Sequence, residues 1–264
     1  LILFSGLLSA IVTNDVALFI VVPLTLSLAG MATLPIERLI VFEALAVNAG
    51  SSLSPIGNPQ NLYLWQLSGI RFGDFLWVML PLGVGLMLLL LLLVPLAFPK
   101  ASIHLEAVSA MTAERRKAPL WAALIGYPLF LVAVDMGWVL SALAGVLLSM
   151  LWVARRAVFS IDWLLLIVFV LMFVNLSVIG ELSVVQQFIH SMRQWPGGDV
   201  SAWQPLAWGV SVGGFGLAIG SMANLIALRL ARQPGIWKEF HCWSLPMLGL
   251  GWLFAAVWLS ALAR

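Results

Sequence analysis

The chain has 264 residues, of which 62% are apolar and only 9% charged, with a net charge of +2. Soluble domains carry about 45–50% apolar and about 25% charged residues. That gap excludes an ordinary soluble enzyme, a nucleic-acid-binding protein and a disordered chain. Thirteen Trp against two Tyr suit the two faces of a membrane, where amphipathic rings settle. The single Cys242 excludes an internal disulfide or a cysteine-based metal cluster.

A membrane span needs about 20 mostly apolar residues. Residues 1–29 are apolar except for Thr13-Asn14-Asp15 at their centre, and are expected to form a re-entrant hairpin. Residues 39–68 form a broken helix, interrupted from Asn48 to Asn61 by Gly, Ser, Pro and Asn. Residues 75–98 contain no charge and predict a continuous span. The stretch 99–118 carries Lys100, Arg115, Arg116 and Lys117 and reads as a linker between two halves, 1–98 and 119–264. Spans are expected at 119–134 and 138–154, joined by a tight turn at Asp135–Gly137, and again at 163–180. Residues 205–231 form a second broken helix, interrupted between Gly213 and Asn224, and 242–263 form the last span. Unwound backbone at membrane depth is tolerated only where it is buried in protein or lines a cavity.

Basic residues set the orientation. Alternating spans place Arg38, Lys100, Arg115, Arg116, Lys117, Arg155, Arg156, Arg229, Arg232 and Lys238 on one side. Arg71, Arg193 and Arg264 fall on the other. The positive-inside rule makes the first side cytoplasmic and puts the carboxyl terminus outside. The chain begins at Leu1 within an apolar run, and reads as a fragment lacking an amino-terminal part.

The two broken helices are related. Gly50 aligns with Gly213, Ile56-Gly57 with Ile219-Gly220, and Asn61-Leu62 with Asn224-Leu225. Downstream, Phe75 meets Phe240 and Leu80-Pro81 meets Leu245-Pro246. The charge assignment sends the copies in opposite directions, so the repeat is inverted. Paired interruptions of this kind point to the binding site of a transporter.

Thr13-Asn14-Asp15 and the run Ser54-Pro-Ile-Gly-Asn-Pro-Gln-Asn61 resemble the ion transporter superfamily. That group includes arsenite permeases, NhaD-type sodium/proton antiporters and citrate/divalent-anion symporters, and the nearest resemblance is to its YbiR-type inner-membrane branch. The resemblance covers nearly the whole chain. It implies an all-α polytopic membrane protein of two inverted repeats, in which hairpin tips meet broken-helix loops near the midplane. It also implies a homodimer in the bacterial inner membrane. Between Glu181 and Gln204 no apolar run offers a second hairpin, which is expected to be missing.

A transporter replaces the water around its substrate with its own polar groups. Broken-helix ends supply N–H groups to anions and carbonyls to cations. The candidate binding residues are Thr13, Asn14, Asp15, Ser51, Ser52, Ser54, Pro55, Gly57, Asn58, Pro59, Gln60 and Asn61 in the first half. Gly213, Gly214, Gly220, Ser221 and Asn224 are their counterparts in the second. Asn14, Asp15, Ser54 and Asn58 form a candidate sodium site. Asp15 lies in an apolar stretch, where a charge is costly and marks a functional position; capping of the following helix is the alternative. Glu43 is the other intramembrane carboxyl, read either as a proton carrier or as a hydrogen bond between helices. His104, His190 and His241 share no metal-ligand spacing and lie outside span cores, which disfavours a membrane-embedded enzyme.

The leading expectation is therefore a secondary active transporter of a small ion in contact with lipid, coupled to sodium or protons, without a cofactor. The absence of Lys and Arg around 13–15 and 48–61 favours sodium/proton exchange or metalloid export over citrate uptake. A citrate-type symporter and a transport-incompetent fragment are the alternatives.

Overall fold

The computed structural model describes residues 1–29, 35–98, 117–159, scattered positions between 163 and 187, and 203–262. Most of the expected linker, of the span at 163–180 and of the stretch expected to lack a hairpin lies outside the described residues; Lys117 and Ala118, expected in the linker, begin a helix. Two compact units are present, one of residues 1–108 with 193–264 and the other of 109–192. The larger unit combines the first half of the sequence with the second broken helix and the last span.

Helices α1 (Ile2–Ile11) and α2 (Asn14–Ala29) meet at Val12-Thr13. At ten and 16 residues, both are shorter than the ~20 needed to cross a bilayer. Both pack on α3 (Ile36–Ser51). Ser9 Oγ donates to the Val47 carbonyl of α3 at 2.9 Å, and Thr25 of α2 reaches Glu43. The Asn14 N–H meets the Gly57 carbonyl, beyond the end of α3. These contacts run α1 alongside α3 toward the loop and return α2 in the opposite sense, which is a hairpin with its tip on the loop.

Helix α3 is the hub of the larger unit. Every residue from Ile40 to Ser52 is buried, so it presents no solvent or lipid face over that stretch. The helix runs on through Asn48–Ser51, and the break is confined to 52–58, shorter than the expected interruption. Helix α4 (Pro59–Ser68) starts with Asn58 as its cap, Oδ1 accepting from the Asn61 N–H at 2.8 Å, and with Pro59 at its first position. It stops at Gly69, whose φ of 65° is the left-handed conformation that glycine takes without a Cβ penalty.

Helix α5 (Phe72–Ala97) has 26 residues, and at 1.5 Å per residue it exceeds a hydrocarbon core of about 30 Å. In the smaller unit, α6 (Lys117–Asp135) and α7 (Val139–Val153) pack together across a turn at Gly137, and a short α8 (Arg155–Phe159) follows. The second broken helix consists of α9 (Trp203–Gly213), a 3-10 turn at Ala218–Gly220 and α10 (Met222–Ala231). Helix α11 (Ile236–Leu262) begins six residues earlier than expected and is also long and apolar enough to cross a membrane. Pro81 and Pro246 sit inside α5 and α11, at the aligned positions of the two copies. Among the described residues there is no strand.

The amino-terminal ends of α3 and α11 are tied together. Arg38 Nε donates to Glu239 Oε1 at 2.5 Å, and its Nη1 donates to the Ala97 carbonyl at 2.7 Å. Trp243 Nε1 donates to the same Glu239 oxygen at 3.0 Å, and the Arg38 guanidinium lies 5.8 Å from the Trp243 ring. Phe42 packs edge-on against Phe98 and Trp243, so the ion pair rests on an aromatic cluster.

Candidate functional site

The hairpin tip is built from short polar side chains that satisfy their own backbone. Thr13 Oγ1 accepts the Val16 N–H at 3.4 Å, and Asn14 Oδ1 accepts the Asp15 N–H at 2.9 Å. Capping of α2 thus falls to Thr13 and Asn14. Asp15 keeps a buried Oδ1 with no partner. The Asn14 N–H donates to the Gly57 carbonyl at 2.8 Å, which seats the tip on the first loop.

That loop carries carbonyls that no helix satisfies. Asn61 answers them from the first turn of α4, its Nδ2 donating to the carbonyls of Ser52 at 3.0 Å, Ser54 at 3.2 Å and Ser51 at 3.3 Å. Asn58 Nδ2 also donates to Ser51 O, at 3.3 Å. Gly57 sits so close to the Ser51 backbone that a Cβ there would overlap its carbonyl oxygen. Ser52 Oγ returns to the Ala49 carbonyl at 2.7 Å, and Ser51 Oγ to that of Asn48 at 3.2 Å. Pro55 is buried in the loop, whereas Gln60, expected among the binding residues, is exposed. Two buried oxygens of the loop have no partner, Ser54 Oγ and Asn61 Oδ1. Asn58, expected as a sodium ligand, commits its amide oxygen to the α4 cap, so Asn61 offers the freer oxygen.

The second loop repeats this wiring with a constant offset of 163 positions (61 to 224). Asn61 donates to the carbonyls ten and seven residues before it, Ser51 and Ser54. Asn224 Nδ2 donates to the carbonyls ten and seven residues before it, Gly214 at 2.8 Å and Leu217 at 3.4 Å. The backbone agrees. Leu53 N to Gly50 O at 3.1 Å matches Gly216 N to Gly213 O at 3.2 Å. Gly57 N to Ser54 O at 3.2 Å matches Gly220 N to Leu217 O at 2.8 Å. Even the helix stops correspond, Gly69 with Arg232, whose φ is 51°. The internal repeat is therefore present in these shared hydrogen bonds, although the cap that Asn58 gives α4 has no counterpart at Ser221.

The copies also touch. Asn48 Nδ2 donates to Asn224 Oδ1 at 2.7 Å, and Ser221 Oγ donates to Asn48 Oδ1 at 3.1 Å. Asn48 thus lies at the junction of the loops, although it sits in a regular turn of α3 and not in the break itself. Gly213 and Gly220, expected at the site, are exposed, while Gly214 and Ser221 are buried. His241 Nε2 accepts the Ala218 N–H at 3.4 Å, fastening the second loop to α11.

Glu43 lies along α3, fully buried, away from the hairpin tip. Thr25 Oγ1 of α2 donates to its Oε1 at 2.5 Å, and Oε2 has no partner. Charged groups on the surrounding elements lie elsewhere. Asp15 is at the far end of α2, and Asp74 on α5 pairs with Arg71. Arg229 and Arg232 of α10 are exposed, as is Lys238 of α11. Glu239 pairs with Arg38, His241 bonds the second loop, and Glu37 stands beside Gly235. No cluster of three or more His, Cys, Asp or Glu able to hold a metal ion occurs among the described residues.

Comparison with known proteins places these features in a family. The chain is 42% identical over 272 residues to the inner membrane protein YbiR of Escherichia coli (strain K12), covering 94% of this chain and 73% of that one. It is 29% identical over 259 residues to an uncharacterized transporter of Methanocaldococcus jannaschii, covering 88% of this chain and 70% of that one. A shorter match, 40% identical over 91 residues, links 33% of this chain to 19% of a silicon efflux transporter of Oryza sativa subsp. japonica. No solved structure matches. The citrate transporter family matches residues 1–236, a span that contains the hairpin and both broken helices. The chain therefore belongs to the citrate transporter family, whose members are membrane transporters and not enzymes.

Proposed function

We propose that the protein is a secondary active transporter of a small ion or neutral oxyacid, working by alternating access in the bacterial inner membrane. The observation that carries this reading is the Asn14–Gly57 contact, which brings the hairpin tip to an unwound loop with two buried, unpartnered oxygens. Irregular backbone at membrane depth is characteristic of transporter binding sites. Sodium is one candidate occupant, held by Asp15 and Ser54 beside Asn14, with the Asn61 oxygen in place of the Asn58 oxygen that caps α4. The basic loops face the cytoplasm, the carboxyl terminus lies outside, and the chain works as a homodimer.

Glu43 is the proposed proton carrier. An ionised carboxylate away from water and cations is costly, so a carboxyl with one oxygen on Thr25 and the other free is suited to bind and release a proton. Protons then couple to transport through the contact between α2 and α3.

Export of a neutral oxyacid fits the site chemistry better than uptake of citrate. Asp15 and Glu43 are the only charged residues in the hairpin tip, the first loop and the helix approaching it from residue 39. The rice relative is named for silicon efflux, and arsenite-type export is the same chemistry. Citrate symport is the second reading, favoured by the family match. The test is flux in proteoliposomes holding the full-length protein, with arsenous acid, silicic acid or citrate under imposed sodium or proton gradients. Gradient-driven movement of either oxyacid supports the first reading; citrate movement alone overturns it in favour of the second, and no flux of any of them overturns both.

A further inference from the structure

The two loops share their wiring but differ at the position where each faces the other copy. The offset of 163 equates Asn48 with Ser211 and Asn224 with Asn61. The inverted repeat therefore converts the Asn48–Asn224 contact into a Ser211–Asn61 contact. Helix α9, which carries Ser211, packs against α4, which carries Asn61, as this relation requires. In the first case the long side chain reaches across and the bond closes at 2.7 Å. In the second, serine has two fewer side-chain heavy atoms than asparagine and reaches one bond less far, and no bond forms. Ser211 Oγ and Asn61 Oδ1 are both buried, 9% and 0% exposed, and neither has a partner. The copies differ once more, because Ser54 of the first loop is Leu217 in the second. Ser54 Oγ is a third buried oxygen without a partner, adjoining Asn61 through the bond from Asn61 Nδ2 to the Ser54 carbonyl.

We propose that Ser211, Asn61 and Ser54 form a guest subsite across the two repeats, and that the Asn48 amide fills the equivalent position in the other loop. The protein thus has one open subsite of this kind where its symmetry would allow two. Buried polar groups without partners are costly and are retained where a ligand, ion or water completes them. The chemistry of the guest follows from the donor inventory. Asn61 Nδ2 is fully engaged by carbonyls, so the amide can only accept, and the hydroxyls can accept as well. No Lys or Arg lies on either loop or on the elements carrying these three residues. The subsite therefore takes a small, non-anionic guest that presents positive charge or O–H donors, either a sodium ion or a neutral oxyacid. This proposal refines the transporter reading by assigning a ligand from the second repeat.

The test uses the plug that the protein already employs. Ser211→Asn gives the first copy the amide that Asn48 supplies to the second. Purified full-length protein in detergent is heated with sodium chloride, with choline chloride, with silicic acid or with arsenous acid, and flux is measured after reconstitution. Wild type is expected to gain thermal stability with sodium alone or with the oxyacids, which identifies the guest. S211N is expected to melt higher than wild type without any guest, to lose that gain, and to transport at least tenfold more slowly. Ser211→Ala keeps the space and loses one ligand, so its gain should fall by several-fold. A guest response in S211N equal to that of wild type, or no response to any of these guests in wild type, overturns the proposal. Unchanged flux in S211N also overturns it while leaving the transporter reading intact.

Discussion

Asn61 and Asn224, in opposite halves of the chain, each turn the side-chain amide back on the carbonyl ten residues upstream. The two residues hold the two unwound segments in the same shape. Only Asn224 has its oxygen engaged by the other copy, through Asn48.

Replacing Asn48 with Ala should destabilise the protein by about 1–3 kcal/mol, because it strands the buried oxygen of Asn224 and the Ser221 hydroxyl. The melting midpoint in detergent checks this. A midpoint equal to that of wild type would show that the contact between copies contributes nothing.

Asn61→Asp should be worse than Asn61→Ala. Both lose the donor that serves the carbonyls of Ser51, Ser52 and Ser54, but Asp also turns an acceptor, or a charge, toward them. The difference should be on the order of 1–3 kcal/mol. Ranking the two variants by thermal melting decides it; equal midpoints contradict the assignment of Nδ2 to the carbonyls.

Glu43→Gln keeps the shape of a protonated carboxyl and cannot release a proton. If Glu43 carries the coupling proton, E43Q should lose the dependence of flux on a pH gradient while retaining exchange of labelled for unlabelled solute. A pH-gradient response equal to that of wild type would remove Glu43 from the coupling path. Thr25→Val, which deletes the hydrogen bond to Glu43 Oε1, should shift the pH profile of flux without abolishing exchange.

Gly50 and Gly213 are aligned, yet their surroundings differ. A Cβ at 50 would overlap the Gly6 carbonyl oxygen and approach Ser9 Oγ, whereas one at 213 meets nothing within 4 Å. Gly50→Ala should therefore cost about 3 kcal/mol or more, because backbone must move. Gly213→Ala should be neutral or gain up to about 1 kcal/mol of helix propensity. Similar melting of the two variants would contradict the packing of α1 on α3.

Arg232 holds the left-handed conformation that Gly69 holds in the first copy. Arg232→Gly should raise stability by about 1 kcal/mol, since the Cβ penalty is removed. A lower melting midpoint would mean that the arginine side chain makes a contact worth more than this strain.

The hairpin tip and both loops were legible because Gly, Pro and Asn are out of place in apolar runs, and the alignment of Asn61 with Asn224 identified equivalent atoms. Other features were hidden for physical reasons. Asn48 and Ser51 looked like part of the break, but helical hydrogen bonding continues through them and only side-chain contacts distinguish them. Thr25 is an ordinary residue on a helix until Glu43 is placed beside it. Ser211 is unremarkable in sequence, and it gains meaning only when the repeat offset pairs it with Asn48. The alignment already contained that pairing, but the contact between copies was needed to show what it implied. Gln60 shares the composition of the loop but faces outward, since successive residues of α4 point about 100° apart and Asn61 takes the inward direction.

The glycine contact between α1 and α3 also restricts how the hairpin can move. With the Gly6 carbonyl against Gly50 and Ser9 bonded to Val47, the first arm lies flush on the broken helix. A flap in which α1 swung away with the tip would have to shear that seam open. With α2 also bonded to α3 through Thr25 and Glu43, a displacement of the whole hairpin is expected to carry with it the helix that bears Glu43 and Asn48.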